Sequence, residues 1–203
     1  RNCTSAWRLL GKRGRGVNMP GMLNGSVSKR IHNPNVSGII PTYNRANELQ
    51  RCLDSLVAQN VEDFEVVVCD DGSTDNSAEV VKGYAAVLDI TYDYAENFGG
   101  PARPHNRGIK LARAAYMAFL DSDDWWAPTK LERSISFLQA GADVVYHDLW
   151  NVVHVHQQLF KHRITSGQPV SPMFESLLCS ANSIPNSSIV VRGSSLQAIG
   201  EIC

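Results

Sequence analysis

Tyr116-Met117-Ala118-Phe119-Leu120-Asp121-Ser122-Asp123-Asp124 is the stretch on which the reading of this chain turns. Its apolar half has the length and character of a buried strand, and that strand delivers three carboxylates together at its C-terminal end. Two unit charges about 4 Å apart at an effective dielectric near 20 repel by roughly 4 kcal/mol. Crowding three of them calls for a cation. A divalent metal that also holds a phosphate-bearing ligand would serve, since hard cations take carboxylate and phosphate oxygens together. The other solution is a solvated loop whose aspartates cap the next helix, with Pro128 in its first turn.

Working outward, apolar runs alternate with amphipathic stretches from Val36 onward. Val36–Ile40 and Phe64–Cys69 read as strands, the second almost wholly apolar, as when both faces are covered. Val87–Tyr92 and Asp143–Tyr146 read as shorter strands. Helical spacing runs from Glu48 to Val57, Ser77 to Tyr84, Asn106 to Ala115 and Thr129 to Gln139, with a loop at 97–101. After Tyr146 the pattern becomes extended through Phe160, then gives a strand at Ser187–Val191 and a helix at Ser194–Ile199. Strand–helix alternation predicts an α/β domain, a Rossmann-like, mostly parallel sheet flanked by helices. Ligands of such sheets bind beyond the carboxyl ends of the strands. Pro41–Arg45, Asp70–Asp75 and Asp121–Asp124 each follow a strand and so converge on one rim.

The chain has 203 residues, 43% of them hydrophobic, enough for one well-buried domain. No run approaches the ~20 apolar residues that span a bilayer. Five scattered cysteines without a C-x-x-C pair argue for a reducing compartment and against a zinc knuckle. The net charge of −1 conceals an asymmetry. Residues 1–35 carry seven Lys or Arg and no acid, and residues 36–203 carry twelve basic and twenty acidic side chains. The first segment reads as a basic, disordered arm. Anionic lipid, nucleic acid or a vector-derived origin are its alternative explanations, with nucleic acid the least expected partner.

Five motifs in order resemble the nucleotide-sugar-dependent glycosyltransferases of inverting family 2, which have the GT-A fold. They are Ile39-Ile40-Pro41-Thr42-Tyr43-Asn44-Arg45, Val66-Val67-Val68-Cys69-Asp70-Asp71-Gly72-Ser73-Thr74-Asp75, and Asn97-Phe98-Gly99-Gly100-Pro101-Ala102-Arg103 with Asn106-Arg107-Gly108-Ile109. Ala118–Trp126 and Pro128-x-Lys130-Leu131-Glu132 complete the set. The resemblance covers Val36 to about Gly200. It implies a nucleotide-sugar donor, UDP-linked first, and a glycan or lipid-linked saccharide acceptor. It also implies Mn2+ or Mg2+ as cofactor, and a cytoplasmic location with peripheral contact at the inner face of the membrane. By the same resemblance, Pro41, Thr42, Tyr43 and Asn44 line the nucleotide pocket, and Asp71 contacts the base. Gly99 and Gly100 admit close backbone approach and Arg103 lies near the phosphates. Asp121 with Ser122 meets the ribose, and Asp123 is the metal ligand, with Asp124 its rival. Asp70 and Asp75 are expected to organise their turn, Trp125 and Trp126 to form wall, and His147 to pack. His154-x-His156 is a weak metal-ligand pair without a third partner. The family's general base is a Glu-Asp pair that the resemblance places beyond Cys203. The expectation is therefore a C-terminally truncated 36–203 domain, with a donor-binding module without turnover as the alternative.

Overall fold

The structure, a computed structural model, describes residues 2–3, 33–155, 158–166 and 184–202. Six strands form the central sheet: β2 (Val36–Thr42), β3 (Phe64–Asp70), β4 (Asp89–Tyr94), β5 (Tyr116–Phe119), β6 (Val144–Val145) and β9 (Val190–Arg192). Their order is β4-β3-β2-β5-β9-β6. The first four neighbours run parallel, with Val36 beside both Phe64 and Tyr116. β9 is antiparallel to β5 and to β6. The predicted α/β architecture with a mostly parallel sheet is what the chain adopts.

Alternation along β2 explains the two layers. Ile40 faces one side with Val66, Val68, Ala118 and Leu120, where α1 (Ala46–Val57), α2 (Ser77–Tyr84) and α4 (Lys130–Gln139) supply Leu53, Val81 and Leu138. Ile39 faces the other side with Met117, Phe119 and Val191, packed by Ile109 of α3 (Ala102–Leu111) and Leu196 of α5 (Gly193–Ile199). Burying a side chain of this size contributes about 1.5–3 kcal/mol. The α3 layer sits unusually close. A Cβ on Gly108 would lie 2.5 Å from Ile39 Cγ2 and 3.2 Å from Cys69 Sγ, so only glycine lets α3 reach the sheet.

Several boundaries differ from the sequence reading. β4 begins at Asp89 rather than Val87, because Val87 and Leu88 donate backbone N–H bonds to Tyr84 O and finish the turn after α2. α3 begins at Ala102, four residues before the expected Asn106, since Pro104 falls in its first turn where no amide donor is needed. The strand expected at Ser187–Val191 opens instead as a 3-10 turn, Asn186–Ser188, before β9. The extended stretch after Tyr146 is a hairpin of β7 (Leu149–Val155) and β8 (Gln158–Ile164), with the two-residue strand β1 (Asn2–Cys3) on its outer edge. His156 and the side chain of His154 lie outside the described residues, as does most of the basic arm. No helix among the described residues is long and apolar enough to cross a membrane.

The ladder continues past the strand ends and fixes the rim. Asp71 N donates to Thr42 O at 2.9 Å, Ala95 N to Asp70 O at 3.0 Å and Leu120 N to Ile39 O at 3.1 Å.

Candidate functional site

A cleft of about 560 Å³ opens at this rim, within the size range of small-molecule sites. Pro41, Thr42, Tyr43, Asp71, Gly99, Gly100, Asp121, Ser122 and Asp123 line it. So do Arg45, Asn97, Pro101 and Pro104, to which sequence reasoning gave no role. Asn97 and Pro101 flank the Gly-Gly pair, so their motif position was the available signal.

Asp71 is 4% exposed. Its Oδ2 accepts bonds from Phe98 N at 3.1 Å, Asn97 Nδ2 at 3.3 Å and Gly99 N at 3.4 Å. These tie the 97–101 loop to the turn after β3. Asp71 Oδ1 is buried with no partner, and so is Thr42 Oγ1. Orphaned polar atoms are uncommon in folded proteins. Two on one cleft wall, a carboxylate acceptor and a hydroxyl that both donates and accepts, suit a polar ligand. A Cβ at Gly99 or Gly100 would meet no protein atom, leaving that wall open to close approach.

Asp121 marks the other side. Its backbone N–H donates to Ser187 Oγ at 3.0 Å and its Oδ1 accepts from Asn186 Nδ2 at 3.0 Å. The same Asn186 amide donates to His105 Nε2 at 3.0 Å, and His105 Nδ1–H donates to Pro101 O at 2.6 Å. This run is consistent only with the neutral Nδ1–H tautomer of His105. Asp121 is thereby coupled to the Gly-Gly-Pro loop through two residues that the sequence gave no reason to select.

Asp123 is ion-paired with Arg45, and its carbonyl accepts from Arg51 Nη2 at 3.0 Å. Asp124 donates its N–H to Asp121 O at 2.9 Å and is 6% exposed, away from the cleft lining. Burial and then the charges of Asp124, Asp121 and Asp123 push the Cys52 thiol well up, which registers how negative this end is. Among the described residues no group of three or more His, Cys, Asp or Glu could hold a metal alone. Asp123 at an open cleft nevertheless suits a hard cation whose other ligands arrive with a phosphate-bearing molecule.

Three expected site residues lie off the lining. Asn44, at φ +49°, accepts Thr74 N at 2.8 Å on its Oδ1 and donates its N–H to Ser73 Oγ at 2.8 Å. It joins the turns after β2 and β3. Arg103 is exposed and stacks on Phe98, 4.7 Å from the ring centroid. Asp124 is the third. Asp70 organises its turn by accepting Ser73 N at 2.7 Å and Tyr92 Oη at 2.6 Å. Asp75 reaches further than a local turn, accepting Ala46 N at 2.9 Å as well as Ser77 Oγ at 2.6 Å. Trp126 is buried with Nε1 donating to Ser187 O at 2.8 Å, and Trp125 carries the Arg51 guanidinium 4.1 Å from its ring. Neither lines the cleft.

A mostly parallel sheet with aspartates past β3 and β5, beside a rim cleft with unmet buried oxygens, is an α/β domain of GT-A type. The family assignment follows from the sequence profile of glycosyl transferase family 2, which matches residues 37–185. The chain belongs to that family. An uncharacterized glycosyltransferase of Rickettsia bellii (strain RML369-C) is 36% identical over 126 residues, 62% of this chain and 18% of the relative. The poly(ribitol-phosphate) beta-glucosyltransferase of Bacillus spizizenii is 38% identical over 106 residues, 50% of this chain and 17% of the relative. The crystal structure of S. aureus TarS 1-349 in complex with UDP-GlcNAc superimposes with a TM-score of 0.64 at 26% identity, covering 81% of this chain and 47% of that one. The matched region therefore spans about a fifth of these curated relatives and about half of the solved neighbour.

Proposed function

We propose that this domain binds a nucleoside diphosphate sugar, a UDP-sugar first, and supports transfer of its sugar to a saccharide or lipid-linked acceptor with inversion. The observation that carries the reading is the pair of buried, unpartnered oxygens, Asp71 Oδ1 and the Thr42 hydroxyl, on one wall of the rim cleft. An acceptor-only carboxylate oxygen suits a base that presents a ring N–H, as uracil does. Asp121, anchored by Asn186, would take the ribose hydroxyls. The diphosphate would then lie between the Gly99-Gly100 backbone and Asp123. The UDP-GlcNAc held by the TarS relative supports the same donor class.

Asp123 is the residue that would hold a divalent cation, Mn2+ or Mg2+, with the donor's phosphates as co-ligands. Such an ion, when bound, neutralises negative charge on the departing nucleoside diphosphate. The chain's own part is to orient the donor: the base at Asp71 and Thr42, the ribose at Asp121, the loop at Pro101. Inversion needs a single displacement in which the acceptor hydroxyl attacks the anomeric carbon opposite the leaving group and gives up its proton to a base. A cytoplasmic location, at the inner membrane face, belongs to the same reading.

A thermal-shift screen of UDP, GDP, CDP and dTDP with and without manganese tests it. At 100 times its dissociation constant a ligand adds about 2.7 kcal/mol, a shift of several degrees at this size. UDP with manganese should give the largest shift, and Asp123→Ala should abolish the manganese-dependent part. An unchanged response in that variant would refute the metal assignment.

A further inference from the structure

Four residues after Asp123 the chain enters a second cleft, of about 430 Å³. Its walls are α4, the segment between β6 and β7, and β8, and its titratable lining is Lys130, Arg133, His147, Asp148 and Arg163. Asp148 is already engaged. Its Oδ1 accepts Ser166 N at 2.8 Å and its Oδ2 accepts Arg163 Nε at 2.9 Å. These contacts, the Ser166 amide first, hold its carboxyl below the usual range.

Lys130 has no such partner. It is 6% exposed, and its Nζ is buried without a hydrogen bond, 4.1 Å from the Trp126 ring centroid. The aromatic face offsets part of the desolvation, but burial still lowers the amine well below its ordinary pKa. Snorkelling of the head group into water does not apply, because the head is the buried part. His147 completes the pattern. Its Nδ1–H donates to Asp148 O at 2.9 Å, so Nε2 is left as an acceptor, and that atom too is buried without a partner. One cleft thus carries a buried amine donor, which a bound anion would hold in its charged form, and a buried neutral acceptor, both unmet, with Trp150 on the same lining. A buried polar group without a hydrogen bond costs a few kcal/mol, and a methionine at position 130 would fill the space without that cost.

We propose that this second cleft binds an anionic saccharide, one bearing a phosphate monoester or a carboxylate beside free hydroxyls. The anion pairs with Lys130 and Arg133, a hydroxyl donates to His147 Nε2, and the apolar sugar face lies on Trp150. A neutral sugar offers Lys130 a hydroxyl oxygen but no counter-charge, and sulfate, having no proton to give, leaves His147 unmet. That the ligand is the acceptor of the transfer rests on the function proposed above; the binding does not.

Isothermal titration of the full chain with glucose 6-phosphate, glucuronate, glucose and sulfate tests the site. At least one of the first two should bind, roughly tenfold or more tighter than glucose and sulfate; which one binds separates phosphate from carboxylate chemistry. Lys130→Met should weaken it roughly tenfold or more while keeping the UDP–manganese thermal shift, which certifies the fold. His147→Phe should erase the preference over sulfate. Asp123→Ala should leave anion binding intact. Binding of neither anionic sugar at about 10 mM, equal binding of sulfate, or undiminished binding in Lys130→Met would overturn the proposal. Anion binding with no response to any nucleotide would instead defeat the donor reading and leave this site standing.

Discussion

Carboxylates occupy both ends of the central sheet, and the two ends treat them differently. At the N-terminal ends of the strands, Glu65 is 1% exposed and accepts Ser37 Oγ, Arg113 N and Arg113 Nε, each at 2.6 Å. Asp89 accepts Arg113 Nη2 at 2.5 Å. Burial alone would lower the Arg113 pKa, but these two carboxylates outweigh it and raise it. None of Ser37, Glu65, Asp89 and Arg113 has a buried side-chain polar atom without a partner. At the C-terminal ends, Asp71 and Thr42 each keep an unmet buried oxygen, and Asp123 is held by Arg45, whose side chain is 46% exposed. A closed network is a staple. An open one is a place for something to bind.

The largest effect should come from breaking the staple. Glu65→Ala takes from Ser37 its acceptor and leaves Arg113 with Asp89 alone; three hydrogen bonds to a buried carboxylate are lost, each worth about 1.5–3 kcal/mol. Denaturant melts should show that loss, while nucleotide affinity in the folded population stays unchanged. A variant that kept its stability and lost nucleotide would reverse the roles of the two ends. Next in size is Gly72→Ala, at the open end. Gly72 has φ +88°, and a Cβ there would stand 2.6 Å from Asn97 N. Strain of this kind costs about 1–3 kcal/mol. Because Asn97 is bonded to Asp71, both stability and nucleotide affinity should fall together, a coupling that Glu65→Ala should not show.

The sequence showed the parallel half of this arrangement well. Val36–Thr42 and Phe64–Asp70 are largely apolar runs, broken by Ser37 and Glu65 and ending in polar turns, so local pattern placed β2, β3 and the rim. Strands near β6 and β9 were expected, but the antiparallel insertion of β9 between β5 and β6 was hidden, because sheet neighbours far apart in the chain leave no local signal. The site divides the same way. Asp71, Asp121 and Asp123 stand where strands end, but Asn44 and Arg45 look equivalent as letters. Only the fold shows that Asn44 clasps Thr74 while Arg45 meets a partner 78 positions away. His105 and Asn186 were invisible for that reason: the bonds of Asn186 to Asp121 and to His105 span 65 and 81 positions.

Smaller effects sharpen the open end. Asp71→Asn offers an amide where a free carboxylate oxygen stood, so UDP affinity should drop about tenfold, roughly 1.4 kcal/mol. The gap between UDP and CDP should narrow, as competition titrations would show; an unchanged gap would mean that Asp71 does not read the base. Arg45→Gln removes a cation that competes for Asp123. An exposed ion pair is worth about 0–1 kcal/mol, so melting should barely change. Free-manganese titration by electron paramagnetic resonance should show a few-fold gain in metal affinity without nucleotide. Weaker metal binding would mark Arg45 as part of the metal site instead.

Asp75 gives the smallest effect and the strictest test, because it is exposed and sits at the open end yet behaves as a staple. Burial is the largest single influence and would raise its pKa, but the Ser77 hydroxyl and the Ala46 and Ser77 amides together outweigh it and lower the pKa from the ordinary value of 3.8. A carboxyl whose folded pKa is depressed adds stability above its unfolded pKa, and that stability is lost as pH falls through the folded one. Wild type should therefore lose stability below about pH 4 more steeply than Asp75→Asn, with the two curves converging at the acid end. Nucleotide affinity at neutral pH should be the same in both. If Asp75→Asn instead lost nucleotide without changing the acid slope, the partners of a carboxylate would not be what separates the two ends, and position on the rim would be the better guide.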